Sequence, residues 1–220
     1  MLRHEDLFSL EQYARERPAF RAKVMAHKKL RLVELGKHAS LHFEDALTMQ
    51  YQVQEMLRLE RIFEPELIQE ELDVYNPLIP DGCNWKATFM VEYPDAEERK
   101  RQLAKLIGVE TAVWVQVADF ARVHPVANED LDRQTEDKTS AVHFLRFELT
   151  PDMAAAAKAG AAIRMGVDHP HYQADLTLGL QVLDALVADL AREAVGAMWP
   201  VPLRHRAPRA IEPAVRRRAR

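Results

Sequence analysis

The chain reads as an α+β fold, with N-terminal helices and a long central helix packed on a largely antiparallel sheet and a further helix near the C-terminus. Two observations predict this. Helical periodicity fills the beginning and the end of the chain, and short β-branched or aromatic runs fill the middle. The strict βαβ alternation of a doubly wound sheet is missing. Residues 1–199 are expected to form one domain. Residues 200–220 are rich in arginine and proline and are expected to be disordered.

Ser9, with Gln12 three residues on, has the form of a capping box, and Leu10, Tyr13 and Ala14 begin a helical pattern. Pro18 is expected to start a second helix, PAFRAKVMAHKK, rather than to kink one long helix. LRLVELG and ASLHFE read as strands joined at Gly36-Lys37. The stretch His42 to Glu64 reads as a strand end running into a helix of about six turns. It is apolar on two sides: Met49, Val53, Met56 and Leu57 on one, and Leu59 and Ile62 among the polar residues of the other. A surface helix has one apolar stripe, so this helix should be central, with charged groups taken inside.

Pro65 opens another helix, which Asn76-Pro77 ends. KATFMVEY is a strand, and Asp95 caps a charged helix closed by Gly108. TAVWVQVA and ARVHPVA read as two strands, with Pro125 placing the second near an edge. NEDLDRQTEDKTS reads as a loop and AVHFLRFEL as a strong strand. Thr150-Pro151 starts a helix, AAIRMGV reads as the last strand, DHPHY as a loop, and LGLQVLDALVADLAREAVGAM as the closing helix.

The net charge of −4 hides an asymmetry: residues 200–220 hold seven arginines and one glutamate, leaving the rest at −10. An acidic body is not a nucleic-acid surface, so contact with nucleic acid is expected only through the tail. The longest run without a charged residue, Ala194 to Leu203, is too short to span a membrane, and the start has no secretory pattern. One cysteine, Cys83, excludes an intramolecular disulfide and an all-cysteine iron–sulfur site. A single thiol fits a reducing cytoplasm, which is the expected location. No GxGxxG, Walker-type GxxxxGK, HExxH, GxSxG or Glu-x-x-His pattern occurs. No nucleotide and no cluster of its own are therefore expected, while a divalent metal stays open.

Three groups of residues are candidates for chemistry. On the central helix, Glu44, Tyr51, Glu55, Arg58, Glu60 and Arg61 stand together, and the spacing of Tyr51, Glu55 and Arg58 puts them on one face. Glu55 or Glu60 is the acid–base candidate, and Arg58 would clamp an anionic group. The competing reading is a structural ion-pair network. Asp168, His169 and Tyr172 form the second group, with His169 a metal candidate. Adjacent Asp168 and His169 reach one ion only if the loop bends sharply. The third group is the strand carrying His143 and Arg146 on opposite faces; a lone histidine there more often packs, hydrogen-bonded, in the core. The basic run from His27 to Arg31 reads as cations at a helix end.

The blocks Ala26-His27-Lys28-Lys29, Phe43-Glu44-Asp45, Tyr51 to Arg58, Glu60-Arg61, Tyr75-Asn76-Pro77-Leu78-Ile79-Pro80, His143 to Phe147 and Asp168-His169-Pro170 with Tyr172 resemble an uncharacterised bacterial domain-of-unknown-function family. The likeness runs to about residue 192. Asn76, which stands in one of these blocks, completes the ligand-binding candidates, and the resemblance itself carries over no functional residue. It implies genes encoded beside a rubrerythrin and an iron–sulfur oxidoreductase, hence a place in peroxide defence or electron transfer. The expected function is an accessory protein of such a module, with either neighbour as its partner. The alternative is an enzyme or small-ligand binder whose pocket lies where the central helix meets the His143 strand and the Asp168 loop. A homo-oligomer is compatible with either.

Overall fold

The computed structural model describes residues 1–129 and 137–191. Most of the polar loop after Asn128 and the arginine-rich tail lie outside the described residues. Six α-helices, α1 (Leu10–Lys29), α2 (Ala46–Glu60), α3 (Pro65–Tyr75), α4 (Ala96–Lys105), α5 (Pro151–Lys158) and α6 (Leu180–Val187), accompany eight strands among them. The strands are β1 (Leu32–Glu34), β2 (Ala39–Phe43), β3 (Asn84–Val91), β4 (Val113–Val117), β5 (Val126–Ala127), β6 (Val142–Glu148), β7 (Ile163–His169) and β8 (Tyr172–Thr177). The class is α+β.

The strands make two antiparallel sheets, one ordered β1-β2-β3-β6-β5 and the other β4-β7-β8. Both are antiparallel throughout. Alternation decides what lies between them. Leu41 and Phe43 of β2, Trp85, Ala87 and Phe89 of β3, and Leu145 and Phe147 of β6 share one buried cluster with Val113, Val115, Ile163, Met165 and Val167 of the smaller sheet. Leu103, Met153, Ala157, Leu183 and Leu186 bring α4, α5 and α6 onto the same core. A second cluster is helical: Met49, Val53, Met56 and Leu57 of α2 pack with Ile68, Leu72 and Tyr75 of α3, and Leu2, Leu7 and Leu10 close over them.

Helix starts follow local chemistry. The side chains of Ser9, Asp45, Asp95 and Thr150 accept the backbone N–H three residues on, and Pro65 and Pro151 sit in the first turns of α3 and α5. The central helix is shorter than its sequence suggests, at 15 residues. Arg61 takes a left-handed conformation (φ 57°), and the Ile62 N–H closes back on the Leu57 carbonyl at 3.0 Å. Its central character is clear, because every residue from Thr48 to Leu57 except Gln50 is buried. Its principal neighbours are α1 and α3, and its N-terminus meets the sheet where the Glu44 N–H bonds the Lys86 carbonyl.

Three expectations need correction. Pro18 does not start a new helix, since α1 runs unbroken through it for 20 residues. Ala14 and Pro18 are both exposed, so the carbonyl that loses its donor faces water, and this removes most of the cost. The stretch DHPHY is not a loop: Asp168 and His169 end β7, Pro170 and His171 make a tight turn, and Tyr172 begins β8. The run AAIRMGV is therefore not the last strand. The segment after β4 changes sheets, leaving Val123 on an isolated bridge to Val115 and β5 on the edge of the larger sheet. Among the described residues, no helix is long and apolar enough to cross a membrane.

Candidate functional site

A dense polar site is built between α1 and α2. Gln54 fixes the approach of α1, its side chain accepting the Phe8 N–H at 2.5 Å and donating to the Phe8 carbonyl at 3.3 Å. Tyr13 and Arg17, one turn apart on α1, then face Glu55. The Tyr13 hydroxyl donates to Glu55 Oε1 at 2.8 Å, and Arg17 donates from Nε to Oε1 at 2.7 Å and from Nη2 to Oε2 at 2.8 Å. Arg58 adds two longer bonds of 3.3 Å from the helix's own face. Tyr51, one turn earlier, is buried beside Phe20.

Glu55 is 4% exposed. Burial pushes its carboxyl up, but the hydrogen bonds from Arg17, Tyr13 and Arg58 outweigh it and hold the group at about 2. Tyr13 is pushed up by burial and by its bond to the carboxylate, and Arg17 is raised by the same carboxylate. Glu55 is thus a fixed anion at neutral pH, with its oxygens saturated by donors. It suits locking two helices together better than accepting or giving a proton.

A second network lies where α1 ends and α2 begins. Asp45, already the cap of α2, also meets His27 Nε2 at 2.6 Å and Arg31 Nη1 at 3.6 Å. Burial raises the Asp45 carboxyl, and Arg31, the Thr48 N–H and His27 together bring it below its ordinary value. Arg31 is itself buried and donates to the carbonyls of Phe43, Ala185 and Glu44 at 3.1 Å each, and to Asp189. His27 and Arg31 therefore do more than complement a helix end. Glu44 accepts from the Thr88 hydroxyl at 2.8 Å across the outer face of β3. On the same face, Ser40 donates to Glu92 at 2.9 Å and lies 3.1 Å from His42 Nε2, and burial lowers the His42 pKa. Lys86 is buried there too, donating to the carbonyls of Pro77 and Ile79 at 2.6 and 2.9 Å.

Most of the remaining candidates have local partners of their own. His143 points into the core between the sheets, with Nε2 3.1 Å from Thr139 Oγ1 and Nδ1 3.1 Å from Asn128, and Glu110 3.9 Å away. Arg146 faces the other way, paired side-on with Glu129 and bonded to Glu148. Asp168 is exposed and paired with Arg122, whose guanidinium stacks 3.8 Å from the Trp114 ring. His169 has both ring nitrogens engaged, Nε2 with the Ile107 carbonyl and Nδ1 with the His171 N–H, each at 3.2 Å. The adjacent Asp168 side chain lies on the opposite face of β7. The Tyr172 hydroxyl donates to the Leu35 carbonyl at 2.5 Å and accepts from His38 N–H at 3.0 Å. Asn76 clamps the backbone of Leu2 at 2.7 and 2.9 Å. Glu60 is partly exposed and Arg61 exposed at the end of α2. Among the described residues, no group of three or more His, Cys, Asp or Glu is placed to hold a metal ion.

Tyr51, Glu55 and Arg58 do come together as their spacing predicts. Among the described residues, the candidates of the central helix, the His143 strand and the Asp168 turn sit in separate local networks. A cleft of about 500 Å³ opens instead between the edge strands β1 and β8, walled by Leu32, Val33, Leu176, Leu178 and Val182 and lined by none of the nominated residues. Sequence reasoning missed Tyr13, Arg17, Lys86 and Asp189. The one signal for the first two was their spacing of four residues on α1, which does not name an acceptor 42 and 38 residues away.

A family model described as a protein of unknown function (DUF3501) matches residues 1–190. A crystal structure of a protein of unknown function from Burkholderia pseudomallei is 48% identical and superposes with a TM-score of 0.81, covering 86% of this chain and 98% of that one. No curated protein matches.

Proposed function

This chain belongs to the family of proteins of unknown function (DUF3501), and from that premise we propose that it is an accessory protein of a bacterial peroxide-defence or electron-transfer module, acting with a rubrerythrin and/or an iron–sulfur oxidoreductase in the cytoplasm. The observation that carries the reading is the state of Glu55. The best acid–base candidate is saturated by Tyr13, Arg17 and Arg58 and held at about 2. The other nominated charges with described partners are tied up in local pairs in the same way, as in a scaffold that presents a surface. The acidic body, −10 outside residues 200–220, suits a partner with a basic face. One cysteine gives the chain no cluster of its own to pass electrons through, so its part would be to bind, load or regulate a partner that has one.

The test is reconstitution. The untagged protein is added to purified rubrerythrin with a reductase, and separately to the iron–sulfur oxidoreductase, and both binding and turnover are followed. A complex, or a change in peroxide reduction or in cluster loading, supports the reading. No complex and no change with either partner overturns it. Metal content after anaerobic purification is measured alongside. Near-stoichiometric iron, manganese or zinc, lost on replacing His169 or Glu55, would favour a metal-dependent enzyme instead.

A further inference from the structure

The corner where α2 gives way to α3 exposes three large apolar side chains at four-residue spacing: Leu59, Phe63 and Leu67, 57%, 61% and 41% exposed. Carboxylates surround them in the sequence. Glu64, Glu66, Glu70 and Asp73 are exposed, and in residues 59–74 the sole cation is Arg61. Exposed apolar side chains in a mainly acidic stretch suit a partner of opposite charge that brings apolar side chains of its own.

Such a sequence exists in the same chain. Residues 200–220 hold seven arginines against one glutamate, interspersed with Leu203, Ile211 and Val215. The tether is long enough. The described chain ends at Ala191, two residues after Asp189, which bonds Arg31, which in turn lies 3.6 Å from the α2 cap Asp45. The chain therefore leaves beside the N-terminus of α2, and the apolar corner is at the other end of that helix, about 22 Å along its axis. The residues between Ala191 and Arg204 span about 40 Å when extended, so the first arginine reaches the corner.

We propose that the arginine-rich segment, residues 200–220, docks on the α2–α3 corner of its own chain, its guanidinium groups meeting Glu64, Glu66, Glu70 and Asp73 and its apolar residues covering Leu59, Phe63 and Leu67. Exposed ion pairs are individually weak and salt-sensitive. Tethering supplies an effective concentration on the order of millimolar, enough for several weak contacts to hold together. The docked segment occupies an acidic, apolar surface that a basic partner would otherwise use, and a stronger competitor would displace it. The inference does not depend on which partner that is.

The experiment is limited trypsin digestion of the full-length chain, with cleavage after Arg204 to Arg218 followed by mass spectrometry. Rates are normalised to a free peptide of residues 200–220. Cleavage is expected to be about fivefold slower at low salt than at about 0.5 M salt, where the Debye length is only a few ångströms. The triple reversal Glu64→Lys/Glu66→Lys/Glu70→Lys is expected to abolish the protection, as is Leu59→Ser/Phe63→Ser, which alters only exposed positions. Glu97→Lys/Asp152→Lys, on α4 and α5, is expected to leave it intact. Equal rates in wild type at both salt concentrations overturn the proposal, and so does protection that survives both corner variants. Protection that vanishes on dilution places the segment on a second copy and overturns docking on its own chain.

Discussion

Arg17 and Glu55 meet side-on through two parallel N–H···O bonds of 2.7 and 2.8 Å, across a separation of 38 residues. The pair fastens α1 to α2, and the Tyr13 hydroxyl on the same carboxylate makes it a three-way joint. Removing one partner of a buried pair leaves the other desolvated. Arg17 is about one-third exposed, which softens that penalty. Glu55→Gln and Arg17→Ala are each expected to destabilise the fold by about 2–3 kcal/mol. Urea denaturation of the two single variants and the double variant checks this, because the pair predicts a double-variant loss well short of the sum.

The same joint sets a pH dependence. An unfolded glutamate titrates at its ordinary value of 4.5, and the folded Glu55 is held at about 2. A depressed folded value means the stabilisation is complete above 4.5 and is lost as pH falls through about 2. Asp45, also depressed, acts in the same direction. The stability gap between wild type and Glu55→Gln should therefore narrow by about 2–3 kcal/mol between about pH 5 and pH 2. A gap that stays constant over that window would show that Glu55 is not the titrating group.

Lys86 holds the turn after α3 in place by donating to two carbonyls, Pro77 and Ile79, from a buried position on β3. Burial lowers its pKa, so the site works against its charge and those carbonyls compensate. Lys86→Met keeps the apolar stem and orphans both acceptors. The expected cost is about 2 kcal/mol, with faster hydrogen exchange in residues 76–84 as the local signature.

Gly166 is required by contact with its neighbours. A Cβ built there would lie 2.5 Å from Trp114 Cζ2 and 2.5 Å from the Ala174 carbonyl oxygen. The indole lies over the glycine, and Arg122 covers it from 3.8 Å. Gly166→Ala is expected to cost about 2–4 kcal/mol and to disturb the near-ultraviolet signal of Trp114. An unchanged melting temperature would mean that the β4–β7 pair yields without strain.

Tyr172 ties the smaller sheet to the β1–β2 turn through the Leu35 carbonyl and the His38 N–H. Tyr172→Phe removes both bonds while keeping the ring, and should cost about 1–2 kcal/mol in thermal or urea unfolding.

Much of this fold is written locally. Ser9, Asp45, Asp95 and Thr150 cap helices where their side chains predict, because a cap needs only an N–H three residues away. The alternation of β3 and β6 places Trp85, Phe89 and Phe147 in the core and Lys86 and Arg146 outside it, as period-two patterning requires. The double-sided apolar pattern of α2 announced a central helix. Other features had no local signature. Strand β8, YQADLT, carries too little apolar weight to declare itself, and exists because β7 offers it an edge. Pro18 stays within α1 because the Ala14 carbonyl that it leaves without a donor lies on the exposed side of the helix.

By itself, then, the sequence determined the α+β class, the capped helix starts and the face that brings Tyr51, Glu55 and Arg58 together, since all of these depend on bonds and periodicities within a few residues. Only the tertiary structure decided that Glu55 is a saturated structural anion, that His143 is a core residue and that Asp168 pairs with Arg122. A side chain's charge state and availability depend on which distant groups desolvate and pair with it, and spacing along the chain does not encode those partners.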